Sequence, residues 1–143
     1  KKFTKKQISS LLKLSRFLIK KYNINVKNIL GHSDIAPERK KDPGEKFPWK
    51  YLSKKEVGLW HTIKEQELMK NRQIKTTKID KELFINNLFK IGYSKKSLKS
   101  MSKEKYLIYI IKAFQRRYRQ DLIDGKIDQE CLIICQNLIK RFN

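Results

Sequence analysis

Cysteine, acid and membrane-length apolar runs are all scarce or missing in this chain of 143 residues, and each shortage removes possibilities. The only cysteines, Cys131 and Cys135, stand four apart within an apolar helical pattern. On one helix face a disulfide between them is geometrically poor, and two thiols alone complete no zinc site, so they read as buried structural thiols. No apolar run approaches the length of a membrane span, and no signal-peptide pattern opens the chain. It starts Lys1-Lys2-Phe3 without a methionine, which suggests a piece of something longer. Acids number 14 against 35 Lys plus Arg, a formal charge of +21. Polyanions therefore come into question as partners: nucleic acid, anionic lipid or an acidic wall polymer. The excess is spread along the chain and accompanies heavy use of Ile and Asn, so compositional drift explains it equally well. With 39% hydrophobic residues the chain can build a core.

What is present reads as two units. Thr4 with Gln7 forms a capping box, and Ile8, Leu11, Leu12, Leu18, Ile19 and Tyr22 recur at helical spacing, which predicts an amphipathic helix over residues 4–22. Val26 to Leu30 reads as a short strand ending at Gly31, with His32 just past its end. Residues 33–50 are too rich in proline and charge for regular structure, and 53–78 is polar apart from Val57, Leu59 and Trp60. A boundary near residue 75 separates units 1–75 and 76–143. The second unit carries three helical patterns: one capped by Asp80 and stopped by Gly92, one capped by Ser102 and one capped by Asp128, with a turn at Asp124-Gly125. The expected fold class is α/β over the first unit, followed by a small all-α three-helix domain.

All three prolines and one of the two histidines fall between Gly31 and Trp49, in GHSDIAPERKKDPGEKFPW. Imidazole nitrogen and carboxylate oxygen are both zinc ligands, and a catalytic zinc typically keeps three protein ligands. His32 and Asp42 supply two of them, while Pro37, Pro43 and Gly44 restrict and turn the backbone around them. A solvated His–Asp pair is the other reading of this spacing.

Gly31-His32-Ser33-Asp34-Ile35-Ala36-Pro37, Arg39-Lys40, Asp42-Pro43-Gly44 and Phe47-Pro48-Trp49 closely resemble the second half of the active site of zinc-dependent N-acetylmuramoyl-L-alanine amidases of the type-2 amidase family. The resemblance implies a mixed-sheet amidase domain, His32 and Asp42 as zinc ligands, and Lys40 as the group that steadies the transition state. Glu38 stands where relatives often have glycine. Residues 76–143 resemble the three-helix peptidoglycan-binding domain that follows some of these enzymes, through Gly92-Tyr93, Ala113-Phe114-Gln115-Arg116-Arg117-Tyr118 and Asp124-Gly125-Lys126-Ile127-Asp128.

The activity so implied is hydrolysis of the amide bond between N-acetylmuramic acid and the L-alanine of the stem peptide by zinc-activated water. Arg39 is a candidate for a stem-peptide carboxylate, and Tyr93, Gln115, Arg116 and Tyr118 for contacts to the wall polymer, with Tyr93 and Tyr118 reading equally well as core residues. The family's other histidine ligand and its general-base glutamate precede the first helix, where this chain has nothing to supply them. His61, beside Trp60, reads as a packing or surface residue and not as the third ligand. The expected partners are peptidoglycan or muropeptides; the rest of the amidase is either disordered, cleaved or a separate chain that is then a further partner, or the piece is a degenerate fragment without activity. Nucleic acid and a membrane span are not expected. The expected location is the cell envelope or periplasm, with the cytoplasm as the alternative. Two competing readings are a peptidoglycan-binding fragment that no longer cuts, and a basic helical nucleic-acid binder using Arg116, Arg117 and Arg119 around Tyr118.

Overall fold

The computed structural model describes residues 3–96 and 100–142. Lys1 and Lys2, on which the expectation of a longer chain partly rests, lie outside the described residues. All regular elements among the described residues are helical: α1 (Lys5–Tyr22), a 3-10 turn (Val26–Asn28), α2 (His32–Ile35), α3 (Trp49–Ser53), α4 (Glu65–Asn71), α5 (Lys78–Lys90), α6 (Lys103–Tyr118) and α7 (Gln129–Phe142). The expected α/β class and its mixed sheet are therefore not found. Among the described residues the one pairing of extended backbone is an isolated antiparallel bridge between Lys75 and Asp128.

The reason is visible at the expected strand. Asn25 accepts a hydrogen bond from the Lys27 N–H through its side chain (3.1 Å), and the Asn28 N–H closes onto the Asn25 carbonyl (2.9 Å), curling residues 26–28 into a turn. Asn competes for backbone partners in this way, and an apolar run without a neighbouring strand has no ladder to favour the extended form.

Local chemistry sets the helix ends well. In α1 the Thr4 hydroxyl accepts from the Gln7 N–H (3.2 Å) while the Thr4 N–H donates to Gln7 Oε1 (2.8 Å), and Asn23 ends the helix in the left-handed region. No residue of α1 is buried, although its apolar positions make one face. Thr77, not Asp80, caps α5; Asp80 completes the box by accepting from the Thr77 N–H (3.0 Å). Asp128 accepts from the Cys131 N–H at the start of α7 (2.9 Å).

The core gathers Leu88, Ile110, Ile134 and Leu138 with an edge-on Phe84–Phe114 pair (ring centroids 5.2 Å apart), and extends to Leu59 and Leu68. α5 and α4 both pack against α7, and α2 against α6. Cys131 and Cys135 are buried and unbonded, and burial pushes the Cys131 thiol up to about 12.

Candidate functional site

The segment between α1 and α3 is held as a closed loop. Ser33 donates its N–H to the Asp42 carbonyl (3.0 Å), joining the two ends of the stretch that carries His32 and Asp42. The Asp42–Pro43 peptide is cis. Gly31 lies under Pro43 so closely that a Cβ at that position would sit 2.7 Å from the proline Cδ. Within this frame His32 Nδ1 and Asp42 Oδ2 converge to 2.5 Å, with 70% and 56% of their side chains exposed. The hydrogen bond from His32 holds the Asp42 carboxyl below its usual range. Arg39 and Lys40 both fold their N–H groups onto the Ala36 carbonyl (3.1 and 2.9 Å), which leaves their side chains exposed on the same turn.

A buried cluster beneath the loop fixes it. Asp34, two residues after His32, accepts from the Gly31 N–H (2.8 Å), from the Tyr93 hydroxyl (2.9 Å) and from Arg117 Nη1 (2.6 Å). Arg117 also donates through Nη2 to the Ile29 carbonyl (2.9 Å) and lays its guanidinium over the Trp49 ring at 4.0 Å. Burial, aided by the Asp34 carboxylate, pushes the Tyr93 phenol well above its ordinary range. On the far side of the loop, Gln120 donates to the Phe47 carbonyl (2.8 Å) and Phe47 packs edge-on against Trp49 (4.7 Å). Two groups from α6 and its C-terminal end thus hold both flanks of the loop.

Sequence reasoning left Asp34 and Arg117 without structural roles. A signal existed: Arg117 follows Ile110 and Phe114 at helical spacing, which puts a cation on the core face of α6 and demands a buried partner.

The other expected contacts are placed differently. Tyr93 and Tyr118 are buried, and Gln115 is fully enclosed, clasping the Asp124–Lys126 turn by accepting from the Gly125 N–H (2.8 Å) and donating to the Lys126 carbonyl (2.8 Å). Arg116 is half-buried. Arg119 is buried against Asp128, Asp124 and Glu130, so both it and Arg117 are engaged within the fold and are not offered to phosphate. His61 is buried beside Trp60, and among the described residues no three His, Cys, Asp or Glu side chains cluster as a metal site. The donor types and convergence of His32 and Asp42 suit a divalent metal, and among the described residues no third such side chain joins them.

Residues 1–45, which end just past both converging side chains, match the N-acetylmuramoyl-L-alanine amidase family, Amidase_2. Over 140 residues the chain is 30% identical to the N-acetylmuramoyl-L-alanine amidase AmiD of Escherichia coli K12, covering 98% of this chain and 50% of that protein. A shorter stretch of 47 residues is 49% identical to the 1,6-anhydro-N-acetylmuramyl-L-alanine amidase AmpD of Enterobacter cloacae, covering 33% of this chain and 25% of that one. The solved complex of the E. coli AmiD with anhydro-N-acetylmuramic acid-L-Ala-D-gamma-Glu-L-Lys superposes with a TM-score of 0.81 over 99% of this chain and 54% of that one. AmpDh3 of Pseudomonas aeruginosa, solved with anhydromuramic pentapeptide, gives 0.79 at 27% identity, over 99% of this chain and 55% of its own. The chain spans about half the length of the relatives that it matches end to end.

Proposed function

We propose that this chain is the C-terminal part of a zinc-dependent amidase that hydrolyses the bond between N-acetylmuramic acid and the L-alanine of a stem peptide. The observation that carries the proposal is the convergence of His32 Nδ1 and Asp42 Oδ2 on an open, buttressed loop whose sequence matches that family. The relatives solved with anhydromuramic peptides support muropeptides as the substrate class.

In this reading His32 and Asp42 hold the zinc, and a further ligand and a general base come from outside this chain. When bound, zinc supplies a Lewis acid and lowers the pKa of water towards about 7. Lys40 places an ammonium where the scissile carbonyl oxygen gains negative charge, an interaction stronger in the transition state than in the ground state. Arg39, on the same turn, meets a stem-peptide carboxylate. The apolar face of α1, which is only half-buried, receives the part of the catalytic unit that supplies the missing groups. Residues 76–143 act as the wall-binding part, and the cell envelope is the compartment in which that is useful, with the cytoplasm the setting if the substrate is a soluble muropeptide.

The test is made in the complete polypeptide, by metal analysis and chromatographic assay of an anhydromuramyl tripeptide. About one zinc per chain is expected, with His32→Ala and Asp42→Ala losing both zinc and activity. Lys40→Ala should lower kcat strongly with zinc retained and KM little changed, and Lys41→Ala should change neither. Full activity in either ligand variant overturns the assignment. A second reading is a peptidoglycan-binding fragment; zinc-free complete polypeptide that sediments with sacculi without cutting them would support it.

A further inference from the structure

The two converging side chains are themselves exposed, His32 by 70% and Asp42 by 56%, so packing around the imidazole and the carboxylate does little to fix them. Their placement rests on the backbone that carries them. On the His32 side that backbone is α2, a single turn of four residues, far too short to persist by its own hydrogen bonds. The turn needs support from outside, and polar groups buried beneath it supply that support.

Asp34 is the third residue of the turn, and its carboxylate reaches back to the N–H of Gly31, the residue before His32 (2.8 Å). Both carboxylate oxygens are engaged from the helical unit: Oδ1 accepts from the Tyr93 hydroxyl (2.9 Å) and Oδ2 from Arg117 Nη1 (2.6 Å). The other arm of the same guanidinium donates to the Ile29 carbonyl (2.9 Å), so one planar fork spans the chain on both sides of Gly31-His32. The Arg117 and Asp34 side chains are 2% and 6% exposed. A buried ion pair adds little stability over apolar side chains of the same volume, because desolvation offsets most of the attraction. What it adds is direction. The Asp42 side of the site is tied to the same turn by the Ser33 N–H, which donates to the Asp42 carbonyl (3.0 Å). Metal–ligand distances tolerate only about 0.2 Å, so a turn that swings loses affinity for the ion before it loses its fold.

We propose that Arg117 and Tyr93 are positioning residues of the metal site: acting through Asp34, they hold the His32 turn in register with Asp42, so that zinc affinity depends on the helical unit 76–143 as well as on the ligands. This role rests on the reading of His32 and Asp42 as zinc ligands. The helical unit is thereby part of the catalytic architecture, whatever it also does at the wall, and Tyr93 serves the loop and not the polymer.

Zinc affinity of the complete polypeptide, measured by competition with a chromogenic chelator, tests this role, with urea midpoints taken on the same samples. Tyr93→Phe removes one donor to Asp34, and Arg117→Lys keeps the charge but not the fork. Each should weaken zinc about tenfold, the lower end of what outer partners of metal ligands contribute. Ile134→Val, a trim of the buried α7 core outside the hydrogen-bonded cluster, should lower the urea midpoint and leave zinc affinity unchanged. At saturating zinc both cluster variants should recover the parent kcat on the anhydromuramyl tripeptide with KM unchanged. Should Arg117→Lys fail to fold, Tyr93→Phe carries the test alone. Parent affinity in Tyr93→Phe, a loss in Ile134→Val as large as in the cluster variants, or a raised KM with affinity intact would overturn the positioning role, the last by showing direct contact with substrate. His32→Ala separates the two readings. If it loses zinc while the cluster variants keep the parent affinity, only the positioning role fails; if it binds zinc like the parent, the ligand reading fails and the positioning role with it.

Discussion

Removing the Asp34 carboxylate should unfold the loop's support from a distance. The carboxylate is 6% exposed and accepts from Arg117, Tyr93 and the Gly31 backbone, so Asp34→Ala leaves a guanidinium that is 2% exposed without its counter-ion and two further donors without an acceptor. Breaking a buried pair from one side costs about 3–5 kcal/mol, because the surviving charge stays desolvated. At a urea slope of about 1.5 kcal/mol/M for a chain of this size, the midpoint should fall by about 2–3 M. Arg117→Leu alone should cost less, since it removes the harder charge to bury but strands the carboxylate with two remaining donors and strips the cover from Trp49. The double variant Asp34→Ala/Arg117→Leu should be more stable than Asp34→Ala by about 1–3 kcal/mol, the signature of a coupled pair. Urea unfolding followed by tryptophan fluorescence reads all three, as Trp49 is part of the cluster. If Asp34→Ala costs under about 1 kcal/mol, or if the two substitutions are simply additive, the pair is not what holds the loop against α6 and the reasoning fails.

Two further outcomes follow from particular contacts. Burial, with Lys50 adding repulsion, lowers His61 from 6.5 to about 4, so the folded protein keeps it neutral. Stability from this group is complete above pH 6.5 and is lost as pH falls towards 4, by about 3 kcal/mol, since the unfolded chain takes up the proton first; comparing urea midpoints of the parent and His61→Phe at pH 7.5 and 5 isolates this share from the carboxylates, and parallel losses in both would refute it. Gly31→Ala places a methyl 2.7 Å from Pro43 Cδ, in a region where Trp49 and Asp34 Oδ2 are also within 3.5 Å, and should cost about 1–3 kcal/mol while widening the His32–Asp42 approach; a crystal structure with both unchanged would show that the loop yields freely.

Much of the helical framework and the loop motif could be read from the chain because their determinants are close together in sequence. The Thr4–Gln7 box and the Ser102 and Asp128 caps satisfy helix ends within three residues, and His32 and Asp42 sit ten apart on one stiffened loop. Residues 26–30 show the limit of that legibility: an apolar run becomes a strand only beside another, and the local bonds of Asn25 decided for a turn. The α5 start was misplaced for a smaller reason, two capable caps three residues apart, of which Thr77 took the Ncap position and Asp80 its complement.

What the amino-acid sequence determined by itself is therefore the four longest helices, most of their caps and the motif of the Gly31–Trp49 loop, all governed by interactions across a few bonds, whereas the short helices α2, α3 and α4, in stretches that read as irregular or linker, escaped it. Tertiary structure alone decided which polar groups would be enclosed. Arg116, Arg117 and Arg119 look alike in sequence, yet one is half-exposed and two are sealed against carboxylates as many as 83 residues away. Tyr93, Gln115 and Tyr118 went inside, and so did His61. Burial and partnership of this kind depend on which faces meet when helices distant in the chain pack, and no local preference encodes that.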